Sequence, residues 1–266
     1  MIIGKDKKIF LISKYHKTKK LIKEKIIKPN EFIDIDNFID KILSLKGNNF
    51  IIDDKTCSIH FENIIKTKFK FIKKKDPTYH LKAIKNKTEI KNMINAHILD
   101  GAALTKFLYW IKKVNKKQIN EVQAQNKLES FRKQNKNYLY PSFDTIAGSG
   151  KNGAIIHYKA KKGNCKIINK KDIFLCDSGG QYSYGTTDVT RTICFTKPSS
   201  HIKKVFTKVL KGHISVAETD LQKHNTGKKI DVRARAPLKK INLDYAHGTG
   251  HGVGFFSNVH EGPQSI

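Results

Sequence analysis

The texture of the sequence changes near residue 140, and this change constrains the fold more than any other feature. Residues 82–135 place apolar side chains at helical spacing, as in "TEIKNMINAHILDGAALTKFLYWIKK". Beyond residue 140, short apolar runs alternate with glycines. The segment "DIFLCDSGGQYSYGTTDVTRTICF" indicates two strands joined by a glycine-bearing turn. Helices followed by strands of this kind predict an α+β fold.

The helical segments can be placed more closely. Thr88 is the expected N-cap of the longest one. Two more amphipathic helices are predicted in "QINEVQAQNKLESFRKQN" and "SHIKKVFTKVLKGHISVAE", and "DVRARAPL" indicates a short helix that ends before Pro237. Along the longest helix, the apolar residues expected on one side are Ile90, Ile94, Ile98, Ala102 and Leu108.

Residues 1–79 have the character of a separate small α/β unit. "KKIFLIS" and "NNFIIDD" are predicted strands, and "NEFIDIDNFIDKILSLK" has helical spacing. The segment "KKKDPTYH" at 73–80 combines a charge run with Pro77 and is the expected boundary. We therefore predict two domains, residues 1–79 and 80–266.

The net charge of +29 suggests that the protein binds nucleic acid, but the scarcity of arginine argues against this function. Only four of the 52 basic residues are arginines, whereas recognition of bases and phosphates favours the planar guanidinium group. Lysine, isoleucine and asparagine are abundant together along the whole chain, as an AT-rich coding sequence would produce. We expect neither specific nucleic-acid binding nor membrane association.

Cysteine spacing and hydropathy indicate the compartment. The four cysteines form no CxxC pair and no zinc-ribbon spacing. We find no secretion signal and no stretch of about 18 apolar residues. The simplest expectation is a reduced, cytoplasmic protein.

Two aspartates are candidate metal ligands. Asp177 ends an apolar strand, and Asp188 lies eleven residues later, beyond the turn. On adjacent strands the two carboxylates converge, and in an apolar setting they repel each other unless a cation lies between them. Either aspartate alone would be a common turn residue that binds backbone donors. Together with His157 and His251, which have small or apolar neighbours, they favour a site for a hard-to-borderline metal.

The segment "HGTGHGVGFFSNVHEGPQSI", residues 247–266, adds a cluster of histidines. Glycine recurs at 248, 250, 252 and 254, so His247 and His251 project from an extended or looped backbone rather than a helix. With His260 they indicate a functional site, because the glycines allow a substrate to approach closely. By contrast, the helical segments predict structural or surface roles for three other histidines: His97, His201 and His213.

Several motifs together resemble one family. "DSGGQYSYGTTDVTRTI", "HGTGHGVG…NVHEGP", "NGAIIHY" and "LKGHI" look like the catalytic domain of the Xaa-Pro aminopeptidases in the pita-bread metallopeptidase family, in their long three-domain form. The resemblance runs from about Leu81 to the last residue and more faintly through residues 1–79. It implies a pita-bread (creatinase/aminopeptidase-like) catalytic domain, preceded by part of the small second domain of that form.

The resemblance also implies the chemistry and the roles of the candidate residues. The family hydrolyses the bond between a free N-terminal residue and a following proline, using two divalent metal ions, usually manganese. Asp177 matches a terminal ligand of one ion, Asp188 a ligand that bridges both, and His251 a ligand of the second. His157, His247 and His260 match histidines that bind the substrate. His247 and His260 are also expected to act in catalysis, by stabilising the transition state.

The family pattern has five metal ligands, and its last two are glutamates beyond "HEGP" that have no counterpart in these 266 residues. We therefore expect a catalytic domain truncated at both ends, with little or no activity alone. Two alternatives remain open. A second, C-terminal chain supplies the missing glutamates, or the chain is a non-catalytic protein that binds a polyanion. The family also makes a homodimer a possible assembly.

Overall fold

The computed structural model describes residues 2–4, 8–114 and 119–266. These divide into two compact units, Met1–Pro77 and Thr78–Ile266. The boundary predicted at residue 79 falls inside a short helix, α4, at Pro77–Leu81.

The first unit is a small α/β structure. Strand β2 pairs with β1 in antiparallel and with β3 in parallel orientation, and β4 and β5 form a separate parallel pair with α3 between them in sequence. Its core is apolar, with Ile42 fully buried and Ile65 nearly so. The elements are β1 (Ile2–Ile3), β2 (Ile9–Ser13), α1 (Tyr15–Lys23), β3 (Phe32–Asp34), α2 (Phe38–Ser44), β4 (Asn49–Ile52), α3 (Ile59–Lys66) and β5 (Lys70–Lys73).

The predicted strands at "KKIFLIS" and "NNFIIDD" are confirmed as β2 and β4. The helical interpretation of "NEFIDIDNFIDKILSLK" is correct only for its second half, because Phe32–Asp34 is a strand. Parallel pairing of these residues with β2 supplies backbone partners that outweigh the local helical spacing.

The second unit contains helices and short antiparallel sheets. Two helices, α5 and α6, pack together over a sheet of order β11-β8-β7, and a second sheet has the order β10-β9-β6. The helices α7 and α8 form a separate pair, and β12 and β13 form a two-stranded ribbon. The elements are α5 (Lys87–Lys113), α6 (Glu121–Arg132), β6 (Tyr138–Pro141), β7 (Ile146–Ser149), β8 (Ile173–Ser178), β9 (Gly180–Tyr182), β10 (Gly185–Thr186), β11 (Val189–Cys194), α7 (Ser200–Ala217), α8 (Gly227–Lys239), β12 (His251–Gly252) and β13 (Glu261–Ser265).

The apolar face of α5 differs from the predicted one. Ile90, Ile94 and Ile98 are about half exposed or more, at 48%, 55% and 63%. The buried face carries smaller and aromatic residues instead, and Phe107 and Ile111 at its C-terminal end are fully buried against α6 and the sheet. Counting isoleucines therefore selected the wrong side of this helix.

Three local predictions also need correction. Helix α5 begins after Asn86, not Thr88, because the Asn86 side chain accepts the Glu89 amide at 2.9 Å and the Glu89 carboxylate accepts the Asn86 amide. Pro237 lies inside α8 rather than after it. The two strands at Asp177 and Asp188 are joined by a further hairpin, β9–β10, instead of a simple turn.

One helix has an extensive exposed apolar surface. On α7, the side chains of Phe206, Val209, Leu210 and Ile214 are 44–53% exposed and recur at helical spacing. The opposite side packs closely on α8, where Gly212 lies against the backbone of Ala234. In the described ranges, every helix falls short of the length and apolarity that a membrane span requires.

Candidate metal centre and substrate pocket

Alternation along β8 places Asp177. Phe174, Cys176 and Ser178 are buried, whereas the residues between them are partly exposed. Because successive side chains of a strand point to opposite faces, Asp177 lies on the face away from the helical layer. There its Oδ1 atom accepts a hydrogen bond from Thr190 Oγ1 at 2.7 Å, across from it on β11.

Asp188 reaches the same end of the sheet from the next strand. It immediately precedes β11, whose first residue, Val189, pairs with Ser178. The chain between the aspartates makes a tight approach at Gly179, where a Cβ atom would lie 1.9 Å from the Thr187 carbonyl oxygen. Only glycine fits there, so the Gly-Gly pair allows the hairpin to fold back and brings the second aspartate beside the first.

The two carboxylates are electrostatically strained. Burial raises the pKa of Asp177, and the Thr190 hydrogen bond opposes that rise. Burial also raises the pKa of Asp188, and the negative charge of Asp177 raises it further. Nearby histidines, His251 foremost, lower the pKa of Asp188. The pair therefore has an excess of negative charge that a cation would relieve.

Three of the four candidate histidines come together. His251 Nε2 lies 3.3 Å from Asp188 Oδ2. The rings of His251 and His260 meet edge to face with centroids 4.1 Å apart, and the His157 ring lies 6.3 Å from that of His260. His157 has a φ of +54°, an uncommon conformation for a non-glycine residue that its surroundings must hold.

His247 makes different contacts. Its ring stacks on Tyr245 at 4.7 Å, and its Nδ1 atom hydrogen-bonds the Gly248 carbonyl. Arg235 donates to the His247 carbonyl oxygen at 2.8 Å and fixes the backbone there. His247 is thus held by Tyr245, Gly248 and Arg235, and in the part of the chain that the structure describes its ring contacts Tyr245 rather than the other three histidines.

The donor types suit a divalent cation such as manganese, which accepts carboxylate oxygen and imidazole nitrogen. Asp177 and Asp188 supply the oxygens and His251 the nitrogen. Among the residues that the structure describes, however, no three His, Cys, Asp or Glu side chains are gathered closely enough to hold an ion. The carboxylate pair fits a metal, while His251 contacts one carboxylate directly.

A pocket of about 580 Å³ opens beside His260. Gln181, one of the residues that line it, donates a hydrogen bond to the Ser257 carbonyl oxygen at 2.8 Å. This volume lies within the range of small-ligand sites. The lining residues are Tyr140, Ser142, Gln181, Phe256, Ser257, Asn258, Val259 and His260.

Sequence reasoning missed two buried groups that support the site. Glu121, the first residue of α6, is fully buried and accepts the backbone amides of Ser149 and Lys166 at 2.8 and 2.9 Å. It also accepts the Tyr158 hydroxyl at 2.7 Å and thereby braces the loop that carries His157. An acidic residue in the first turn of a helix was the available signal, but the sequence does not show that it is buried.

The second group lies directly behind the aspartates. Arg132, which is fully buried, donates to both oxygens of Asp100 at 2.6 and 3.0 Å and to Ser178 Oγ at 3.0 Å. Tyr182 donates to Asp100 Oδ1 at 2.8 Å. His97, for which a structural or surface role was predicted, is exposed on α5, where its Nδ1 atom hydrogen-bonds the Met93 carbonyl oxygen at 2.8 Å.

These features define a class of protein. A family model described as "Metallopeptidase family M24" matches residues 91–266, most of the chain. The chain belongs to metallopeptidase family M24.

Individual relatives refine this assignment. A protein of Paracoccidioides brasiliensis (strain Pb18) named "Probable Xaa-Pro aminopeptidase P" is 51% identical over 195 residues, which are 72% of this chain and 32% of the relative. The crystal structure of an X-prolyl aminopeptidase from Caenorhabditis elegans, described as a cytosolic enzyme with a di-nuclear active site, matches with a TM-score of 0.78 and 30% identity. It covers 94% of this chain and 42% of that one.

A Xaa-Pro dipeptidase from Bacillus anthracis matches with a TM-score of 0.77 and 25% identity, over 96% of this chain and 71% of that one. The predicted pita-bread fold and the family resemblance are confirmed. The chain spans about a third of the length of the curated relatives it matches.

Proposed function

We propose that the second unit carries the site of a metal-dependent Xaa-Pro aminopeptidase, which hydrolyses the bond between an N-terminal residue and a following proline. The observation that carries this proposal is the convergence of Asp177, Asp188 and His251 with two further histidines beside the 580 Å³ pocket. The names of the relatives give the same substrate class.

Asp177, Asp188 and His251 are the residues that would hold metal, in a centre of two divalent ions, most simply Mn²⁺. When bound, such ions supply Lewis-acid activation of water and of the substrate carbonyl. The repulsion between the two partly buried aspartates supports this assignment, because it falls when a cation is present.

The remaining residues bind and orient the peptide. His157 and His260 present ring nitrogens to the scissile peptide and stabilise charge that develops on it, and His247 acts with them from its base on Tyr245. Tyr140 and Phe256 give the pocket apolar surface for the substrate. The substrates that we propose are peptides with proline at the second position, as in the names of the relatives.

These 266 residues supply three ligands of the five that the family resemblance implies. We infer that the polypeptide alone binds Mn²⁺ weakly and has little or no peptidase activity, because the other two carboxylates balance much of the metal charge.

The test combines two measurements on the purified 266-residue polypeptide. Mn²⁺ binding is followed by electron paramagnetic resonance, and release of alanine from Ala-Pro-Ala is compared with that from Ala-Ala-Ala. We expect weak Mn²⁺ binding that Asp188→Asn abolishes and Asp144→Asn leaves intact, since Asp144 is an exposed residue that pairs with Lys159. Equal binding by both variants would refute the metal assignment. Rapid, proline-selective hydrolysis would refute the inference of low activity.

The alternative is a site completed by a second chain that contributes the two glutamates. Co-expression with the candidate chain should then increase Mn²⁺ affinity and produce hydrolysis of Ala-Pro-Ala. If neither changes, this alternative is wrong. A cytoplasmic location and a homodimer complete the proposal; the C. elegans enzyme is described as cytosolic. Cell fractionation tests the location, and sedimentation tests the homodimer.

A further inference from the structure

Glu261 is a buried carboxylate that the proposed chemistry does not use. It is only 3% exposed, although it directly follows the exposed His260. It begins β13 and pairs with Gly252 of β12, the residue after His251. The residue thus lies next to one histidine of the site and across the ribbon from the neighbour of another.

Two lysines neutralise this carboxylate. Lys85 Nζ contacts Oε2 directly, and Lys82 Nζ lies 3.6 Å from Oε1. The Lys85 side chain is itself only 16% exposed, so the pair is largely withdrawn from water. A buried carboxylate without a partner is strongly unfavourable, and the ion pair therefore ties β13 to the segment before α5.

The ribbon needs such an anchor. A two-stranded ribbon is marginally stable by itself, and the pairing of β12 with β13 is irregular between His251 and Gly252. Burial differs sharply at this point of the chain: Glu261 is buried beside Lys85, whereas His251 and His260, the residue before β13, are exposed and their rings are in contact. Fixing Glu261 therefore fixes the backbone from which the histidine rings project.

We propose that Glu261, clamped by Lys85 and assisted by Lys82, is a positioning residue that holds the His260 ring against His251. The proposal rests on the function proposed above, because it gives these histidines their task. It assigns a role to residues that neither bind metal nor contact substrate: Lys82 and Lys85, which precede α5, set the position of His260 at the start of β13 through Glu261.

The competing explanation is that the ion pair only stabilises the fold. The two explanations differ in what happens to the ring geometry when the protein remains folded. A purely structural pair changes the melting temperature and leaves the ring contact intact. A positioning pair changes the ring contact in molecules that are still folded.

The experiment measures the ring contact by NMR on the 266-residue polypeptide with ¹³C-labelled histidine, in EDTA at constant pH. The wild type should show a through-space cross-peak between the rings of His251 and His260, assigned with single His→Gln variants. In Glu261→Gln we expect this cross-peak to lose at least half its intensity. The matched control, Asp144→Asn, makes the same chemical change at an exposed ion pair and should keep it.

Glu261→Asp serves if Glu261→Gln does not fold, because it keeps the charge and withdraws the carboxylate by one methylene. It should weaken the cross-peak with a small change in melting temperature, and Lys85→Met should resemble Glu261→Gln more closely than Lys82→Met does. An undiminished cross-peak in folded Glu261 variants overturns the proposal, whatever their melting temperatures. Because the measurement needs neither metal nor turnover, failure of Mn²⁺ binding or hydrolysis would refute only the proposed function.

Discussion

The two faces of β8 differ in whether their charged side chains are neutralised by a partner of opposite charge. On the helix side, Ser178 belongs to a network in which the charge of the Arg132 guanidinium is matched by the Asp100 carboxylate, and Tyr182 donates a further hydrogen bond to Asp100. On the other side, Asp177 faces another aspartate, and burial raises the pKa of both. One face is balanced by the chain itself, and the other is left with surplus negative charge.

Two adjacent residues of β8 thus have different roles: Ser178 belongs to the network that stabilises the fold, and Asp177 belongs to the candidate metal site. The balanced face connects the end of β8 to two helices and a second sheet through hydrogen bonds, which restrain the strand against the repulsion on its other face. When the backbone that carries two carboxylates is restrained and their charge is not neutralised, as for Asp177 and Asp188, binding of a cation is favoured. The following predictions test each side of the comparison, beginning with the balanced face.

Arg132→Met should have the largest effect. It leaves Asp100 buried without its cation, which typically costs about 3–5 kcal/mol of unfolding free energy. Urea unfolding measures the loss, and Arg191→Met provides the control, because Arg191 is exposed and should change stability by no more than about 0.5 kcal/mol. A loss below about 1 kcal/mol for Arg132→Met would contradict the structural role of the network.

Glu121→Gln should come next, with a loss of about 2 kcal/mol, because charged hydrogen bonds to Ser149, Lys166 and Tyr158 are weakened together. Hydrogen exchange should accelerate in residues 150–168, the loop that carries His157. Tyr158→Phe removes one of these bonds and should lose about 1 kcal/mol. A loss in Glu121→Gln no larger than that in Tyr158→Phe would show that the Ser149 and Lys166 bonds add nothing measurable to the Tyr158 bond.

Asp188→Asn should stabilise the metal-free protein at pH 7, because the neutral amide removes the charge that burial and the neighbouring Asp177 disfavour. The raised pKa means that the folded state binds protons more tightly than the unfolded state. The contribution of Asp188 to stability is therefore full below its ordinary pKa and is lost as the pH rises through the folded value.

Urea unfolding in EDTA from pH 3 to pH 7 tests this sign. The advantage of Asp188→Asn should shrink toward zero as the pH falls, while the exposed Asp144→Asn shows no such trend. A variant that is less stable than wild type at pH 7 would show that Asp188 makes favourable contacts which outweigh its burial.

Thr190→Val should have the smallest effect, a loss of about 0.5 kcal/mol at pH 7. The Thr190 hydrogen bond lowers the pKa of Asp177, so its removal raises that pKa further. Thr190→Ser keeps the hydroxyl and is the matched control. If Thr190→Val is as stable as the wild type, the hydrogen bond to Asp177 does not contribute to stability.

Much of this comparison could be predicted from sequence. The apolar run ending at Asp177, the Gly-Gly pair and the position of Asp188 predict adjacent strands, and the structure has them. The family resemblance followed from motifs in this same region. These features are local, so the spacing of a few residues carries the information.

The balanced face could not be predicted in this way. Arg132 and Asp100 are separated by 32 residues and look like ordinary polar positions on amphipathic helices. The same reason explains the error on α5, where exposed isoleucines outnumber the small residues that pack against the sheet. Which side of a helix is buried depends on its partner, and the spacing of apolar residues alone does not name that partner.

The exposed side of α7 has a consequence for the chain in solution. This side of the helix is an apolar surface through which two copies of the chain could associate, formed by Phe206, Val209, Leu210 and Ile214. The net charge of +29 opposes that association, because it makes the copies repel each other. Salt shortens the range of that repulsion to about 8 Å at physiological strength but does not weaken apolar attraction. Self-association should therefore increase with salt, whereas binding to a polyanion decreases. The direction of the salt response thus distinguishes self-association through the apolar surface of α7 from binding to a polyanion.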